Sequence, residues 1–201
     1  MSNLYLKMPT LEDKNEWLDF VNEYVIDNPK AKPLEFTSNI SYEDWLKNRN
    51  DEYKGIDLKY GRVPSSSYFL MEDERIIGYI SIRHNINTIF LSTCGGHIGY
   101  GIRPSERRKG YATKMLEMAL TKCDELGLEK VMVSCKESNI GSAKTIENNG
   151  GILRDVFYIP EENSNIKKYW INVKEQLNRN NKTIWWDDWN YLRWISWRRI
   201  F

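Results

Sequence analysis

Gly99-Tyr100-Gly101-Ile102-Arg103-Pro104-Ser105-Glu106-Arg107-Arg108-Lys109-Gly110-Tyr111-Ala112-Thr113 is the stretch from which the rest of the chain can be read. A short apolar strand runs into three consecutive cations, and a glycine and a small residue then open a helix. This order suits the capture of a polyphosphate. A helix start offers unpaired backbone N–H groups and the positive end of the helix dipole. Gly110 and Ala112 leave room for oxygen atoms to approach the backbone. Arg107, Arg108 and Lys109 add charge, the two arginines as forked donors.

The helix that follows is the clearest element. Ala112, Met115, Leu116, Ala119, Leu120 and Cys123 fall at spacings of 0, 3, 4, 7, 8 and 11, a single apolar stripe. Gly127 is a natural stop for it. Downstream, residues 131–135 read as a buried strand. Ser138 or Asn139 then caps a short helix with Ala143 and Ile146 facing inward. Asn149-Gly150-Gly151 ends that helix, and residues 152–159 and 167–173 read as the last two strands. Upstream, residues 4–8 read as a first strand. Thr10 with Asp13 caps a helix whose face is Leu11, Trp17, Leu18, Val21 and Val25. Ser41-Tyr42-Glu43-Asp44 is a second capping signature, before Trp45 and Leu46. Residues 67–71 and 75–83 read as a hairpin, residues 85–96 as a short helix and a glycine turn, and residues 97–103 as the strand entering the basic loop. Residues 30–39 and 55–67 read as loops.

Arg107-Arg108-Lys109-Gly110-Tyr111-Ala112 matches Arg/Gln-x-x-Gly-x-Gly/Ala, and this resembles the pyrophosphate loop of the GNAT superfamily of N-acetyltransferases. The order of elements from about Leu4 to Val173 is also similar to a GNAT domain. The run from Gly96 to Pro104 resembles one carried by bacterial GNAT-domain acetyltransferases. The resemblance implies an α/β domain of the α+β type, with a mixed, mostly antiparallel central sheet flanked by helices. It implies acetyl-coenzyme A as co-substrate and transfer of its acetyl group to an amine. The implied cradle is Ile102, Arg103, Arg107, Arg108, Lys109, Gly110, Tyr111, Ala112 and Thr113, joined by Asn139 and Ser142 of the second family motif. A P-loop, Gly-x-x-x-x-Gly-Lys-Ser/Thr, is nowhere in the chain, and Pro104 stands where a dinucleotide fingerprint needs its third glycine.

Transfer to an amine whose pKa lies near about 10.4 calls for a proton acceptor at neutral pH. The family's frequent glutamate position falls near Gly96, which cannot serve, and the adjacent His97 is the best-suited titratable group. Glu72, Glu74 and His84 are weaker alternatives. The tyrosine that often protonates the leaving thiolate in the family falls at Ile146, and the closing aromatic of that motif is Gly151. Tyr158 or Tyr100 is then left as acid, with direct protonation by solvent as the other route. Cys135 on its strand reads as inert. Cys94 and His97 resemble a metal pair, but no second pair at zinc spacing follows, so no metal is expected.

A net charge of +1 supplies no field that would draw the chain to nucleic acid or a membrane. A phosphate- or nucleic-acid-binding module, or an acyl-CoA sensor without turnover, remains the alternative from a different class. Three cysteines without a Cys-x-x-Cys pair, and no signal-peptide pattern in the first residues, fit a reducing cytoplasm. The expected division is an acetyltransferase domain over residues 1–173, then a polar linker and tryptophan-rich tail over residues 174–201, where five of the eight tryptophans sit. So much apolar surface favours packing on the domain or on a second copy in a homodimer. The acceptor is expected to be a small-molecule amine, read by the loops that carry Glu35, Asp57, Lys59 and Arg62.

Overall fold

The computed structural model describes residues 3–160 and 163–180. Its sheet grows from the hairpin of β2 (Ser65–Glu72) and β3 (Arg75–Arg83). β1 (Leu4–Lys7) adds on the outer side of β2, and β4 (Ile98–Ile102) on the far side of β3. β5 (Lys130–Lys136), β7 (Ser164–Asn172) and β6 (Ile152–Ile159) complete a seven-stranded sheet in the order β1-β2-β3-β4-β5-β7-β6. Every pairing is antiparallel except β4 with β5, which is parallel and has a single registered pair, Ile98 with Val133.

Side-chain alternation sends neighbouring residues of one strand to opposite faces. Leu70, Ile77, Ile80, Ile98 and Ile102 join α3 (Tyr111–Glu125) and α4 (Ile140–Asn148) in one core. The expected stripe of α3 is borne out: Met115, Leu116, Ala119, Leu120 and Cys123 are fully buried. A Schellman turn closes α3, with Leu128 N–H donating to the Cys123 carbonyl at 2.9 Å and Gly127 at φ +73.

Phe69, Met71 and Ile76 point the other way, onto α1 (Lys14–Asp27) and α2 (Tyr42–Lys54). This second core is aromatic. Trp17 stacks on Phe69 at 4.9 Å and on Trp45 at 5.0 Å, and Trp45 Nε1–H donates to the Leu34 carbonyl at 2.9 Å. Ser41 caps α2 as expected, its hydroxyl accepting Asp44 N–H. The inward face of α1 differs from the sequence reading. Leu11 is exposed and Val25 largely so, while Trp17 and Phe20 are fully buried. Aromatic bulk, more than aliphatic count, sets the orientation of this helix, because large rings bury the most area against Phe69 and Trp45.

The chain continues past β7 as a helix over residues 173–180, with Val173 buried and Leu177 packed on the α3 core. The tryptophan-rich segment lies outside the described residues. Among those described, no helix is long and apolar enough to cross a membrane.

Candidate active site

The single β4–β5 pair creates an opening in the sheet. Arg83 N–H donates to the His97 carbonyl and Arg103 N–H to the Ile77 carbonyl, both at 2.8 Å, so the odd-numbered residues of β4 turn their backbone groups towards β3. Ile98, Tyr100 and Ile102 therefore present theirs to the other edge. Ile98 meets Val133 there, and beyond it Tyr100 and Ile102 have no partner strand among the described residues, the Ile102 carbonyl accepting only from Arg107 Nε at 3.4 Å. The result is a short free strand edge inside the sheet, able to pair with an extended chain carrying amide groups.

Tyr100 also aims its side chain at the opening. Its hydroxyl lies 2.8 Å from Ser142 Oγ on α4. Burial pushes its pKa up to about 12. Asn139 caps α4, its Oδ1 accepting Ser142 N–H at 3.0 Å, so Asn139, Ser142 and Tyr100 form one group across the gap.

The start of α3 lies at the exit of β4. Gly110 occupies the cap position at φ +87, and no side chain among the described residues caps the helix. Lys114 N–H reaches the Gly110 carbonyl at 3.1 Å, which leaves the N–H groups of Tyr111, Ala112 and Thr113 as the helix's unpaired donors. A Cβ added at Gly110 would meet nothing within 4 Å, so the space before the helix is open. A free strand edge leading to an uncapped helix start is what a pantetheine arm ending in a pyrophosphate would need. Arg108 is exposed at φ +67 and makes no ion pair among the described residues. Lys109 lies 2.8 Å from Glu106, and the Tyr111 hydroxyl donates to Glu72. Thr113 accepts from Asn149 Nδ2 at 3.1 Å, tying α3 to the end of α4.

Two expected cradle residues point elsewhere. Arg103 is 1% exposed; it lies 2.5 Å from Glu16, 2.7 Å from Asp19 and 3.3 Å from Glu23 of α1, with its guanidinium over the Phe20 ring. Its backbone N–H and C=O are both taken, by Ile77 and by Glu106 N–H. Arg107 pairs with Asp27 at 2.9 Å over the Tyr24 ring. Glu16, Asp19, Glu23 and Asp27 thus form one acidic stripe on α1 that grips the corner between β4 and the loop, and Glu23 also accepts Ser105 N–H. Their spacing of 3, 4 and 4 residues, legible in the sequence, puts them on one face of the helix; that this face meets Arg103 and Arg107 comes from the fold.

His97 does not reach the opening as a base. Met132 N–H donates to its Nδ1 at 2.9 Å, and its own N–H donates to the Met132 carbonyl at 2.8 Å. The neutral ring then carries its proton on Nε2 and has no spare lone pair. Burial, with the Arg83 cation, lowers its pKa to about 4. His97 is a tie between β4 and β5 at the closed end of the gap. Tyr158 is exposed on β6, two strands beyond β5, and bonds Asn163 at 2.7 Å. At about 4.8 Å per strand it stands far from Tyr100. His84 bonds Ser66 Oγ at 2.9 Å. Cys135 is buried with its pKa raised by that burial.

On the α1–α2 side of β4 a cavity of about 490 Å³ opens. Gly99 and Tyr100 of β4 line it, together with Leu34, Glu35, Arg62, Ser81 and Arg83. Two segments read as loops do meet here. Leu34 and Glu35, at φ 45 and 61, lie in the left-handed region, pinned by Trp45. The sequence reading did not single out Arg83 or Arg49; a lone arginine inside a strand pattern is too common a signal.

A family model for the acetyltransferase (GNAT) domain matches residues 3–152. The chain therefore belongs to the GNAT family and is an acetyl-CoA-dependent acetyltransferase. No curated protein matches it. Among solved structures, mutant forms of the spermidine/spermine N-acetyltransferase SpeG from Vibrio cholerae share 17% identity, covering 88% of this chain and 99% of that one at a TM-score of 0.59. RimJ from Mycobacterium smegmatis, in complex with CoA-disulfide, shares 14% identity, covering 89% of each chain at 0.63. The microcin C7 self-immunity acetyltransferase MccE, in complex with acetyl-CoA and AMP, shares 17%, covering 83% of this chain and 91% of that one at 0.60. These likenesses agree with the fold.

Proposed function

We propose that this enzyme, acting in the cytoplasm, moves the acetyl group of acetyl-CoA directly onto the primary amine of a small molecule bound in the cavity over β4. One observation carries the reading: Gly99 and Tyr100 both line that cavity and belong to the strand whose free edge faces the cofactor opening. An acceptor in the cavity and a thioester on the edge would meet at the same two residues.

Acetyl-CoA supplies an activated acetyl thioester. The unpaired N–H groups of Tyr111, Ala112 and Thr113 hold its pyrophosphate, with Arg108 and Lys109 as nearby cations. The free N–H groups of Tyr100 and Ile102 orient the arm and polarise the thioester carbonyl. Of the two carboxylates in the cavity wall, Glu52 is engaged by Arg49 and Ser65, so the more exposed Glu35 takes the proton that the amine loses. As the C–N bond forms and the C–S bond breaks, the Tyr100 hydroxyl donates its proton to the leaving sulfur. A phenol held near pH 12 stays protonated at neutral pH, and Ser142 at 2.8 Å orients it. Ile146 and Gly151 leave no other hydroxyl at the usual place, and Tyr100 approaches from the opposite wall.

The test is acetyl transfer from labelled acetyl-CoA to a panel of primary amines, read by mass spectrometry of acceptor and protein. Direct attack gives labelled acceptor, with Cys135→Ala as active as the wild type. A labelled protein intermediate, or loss of transfer in Cys135→Ala, would overturn direct attack.

A further inference from the structure

The cavity over β4 has an unusual charge balance. Its walls carry four cations, Lys32, Arg49, Arg62 and Arg83, against two carboxylates, Glu35 and Glu52. Arg62 pairs with Glu35, and Arg49 with Glu52 at 2.8 Å. Both carboxylates are therefore already matched. Lys32 and Arg83 remain without a carboxylate within 4.0 Å among the described residues, which leaves a wall with two uncompensated positive charges. Arg49, 8% exposed, also has its Nε buried without a hydrogen-bond partner among the described residues, so among them this wall is short of acceptors.

Arg83 is the better placed of the two excess cations. Its Nη1 donates to the carbonyls of Gly95 and Gly96, at 3.2 and 3.0 Å, which fixes the guanidinium plane. Nη1 and Nη2 both lie 4.0 Å from where a Cβ on Gly99 would stand, and Gly99 lines the cavity. The Nη2 donors thus remain for a ligand. Burial, and after it the Arg62 cation, lower the Arg83 pKa from its ordinary value against the opposing pull of Glu35 and Glu52. The free backbone of Tyr100 begins one residue further along β4. With the guanidinium 4.0 Å from the Gly99 Cβ position and about 3.3 Å per strand residue, Arg83 lies on the order of 10 Å or less from the point of transfer.

We propose that the acceptor is a small amino carboxylate, whose carboxylate binds the Nη2 edge of Arg83 while its amine points along β4 towards Tyr100. The proposal rests on the reading of the cavity as the acceptor site. A carboxylate would compensate the excess charge and gain charge-assisted hydrogen bonds. A polyamine would meet like charge in a confined space. The short separation favours an α-amino acid or a chain a few atoms longer.

The experiment measures release of coenzyme A by the wild type with the twenty standard L-amino acids, their decarboxylated amines and spermidine, alongside calorimetric titration of acetyl-CoA. The expected result is transfer to at least one amino acid, with its decarboxylated partner at least about 10-fold poorer in kcat/KM, the loss of one charge-assisted contact. Arg83→Met should raise KM for that amino acid about 10- to 100-fold with little change in kcat or in acetyl-CoA binding, and Arg83→Lys should recover part of it. Arg62→Met serves should Arg83→Met not fold, and should raise KM by a smaller factor. Equal or better transfer to amines without a carboxylate, no transfer to any amino acid despite acetyl-CoA binding, or an unchanged KM in folded Arg83→Met would overturn the proposal. Failure of the wild type to bind acetyl-CoA would instead sink the reading beneath it.

Discussion

The two faces of the sheet hold their helices by different means. On the α3–α4 face the core is aliphatic and regular, and the helix start it presents is left uncapped. On the α1–α2 face stacked rings centre on Trp17, and a buried arginine is gripped by carboxylates. The first face exposes backbone groups to a ligand that many related chains would share. The second spends side chains on building a cavity of its own shape and charge. Cofactor recognition through backbone demands little of the sequence beyond glycine and small residues, whereas acceptor recognition through side chains demands specific ones.

This contrast can be broken first at Arg103. Arg103→Met leaves Glu16, Asp19 and Glu23 without their shared cation. It should destabilise the fold by about 3 kcal/mol, seen in urea unfolding, with acetyl-CoA affinity at low denaturant unchanged. A comparable loss of acetyl-CoA affinity in the folded variant would return Arg103 to the cradle.

The second way concerns His97, at the closed end of the gap. Its folded pKa of about 4 lies below the ordinary 6.5, so the unfolded chain binds the extra proton between those values. Stability therefore falls as pH drops from about 6.5 towards 4, by about 2 to 3 kcal/mol. In His97→Gln this part of the pH dependence should vanish while acetyl transfer persists. Abolished transfer in a well-folded His97→Gln would restore it as the base.

Third, Tyr100→Phe removes the proposed proton donor and keeps the ring. It should lower kcat about 10- to 100-fold, with acetyl-CoA affinity within about threefold of the wild type. It should also remove a limb of the pH–rate profile at high pH. An unchanged kcat would mean that solvent protonates the thiolate.

How much could be read from the chain follows the same division. The α3 stripe, its Gly127 stop, the Asn139 cap and the Gly110 turn all lie within local windows, so periodicity and capping chemistry reveal them. The role of Arg103 depends on carboxylates about 80 residues earlier, and no local pattern couples them. His97 looked like a base because it is the titratable group beside Gly96, where the family's frequent glutamate falls. Its partner is Met132, which only the parallel β4–β5 pairing brings to it. Tyr158 failed for the related reason that strand order puts β7 between β5 and β6. Tyr100 was legible as an alternative, and Ser142 across the gap distinguishes it. The cavity over β4 was legible only as two loops of mixed charge, since Arg83, one of its two excess cations, belongs to a regular strand.

The central claim is that the free edge of β4 and the uncapped start of α3 form one acetyl-CoA site. Calorimetric titration of acetyl-CoA into the wild type and into Gly110→Glu tests it most directly. The substitution puts a carboxylate into the open space before the helix, at a φ that itself costs on the order of 1 kcal/mol for a side chain. The account predicts one site in the wild type, and in the folded variant a loss of affinity of at least about 100-fold, the scale of repulsion between confined like charges. Equal binding by the two proteins would contradict it.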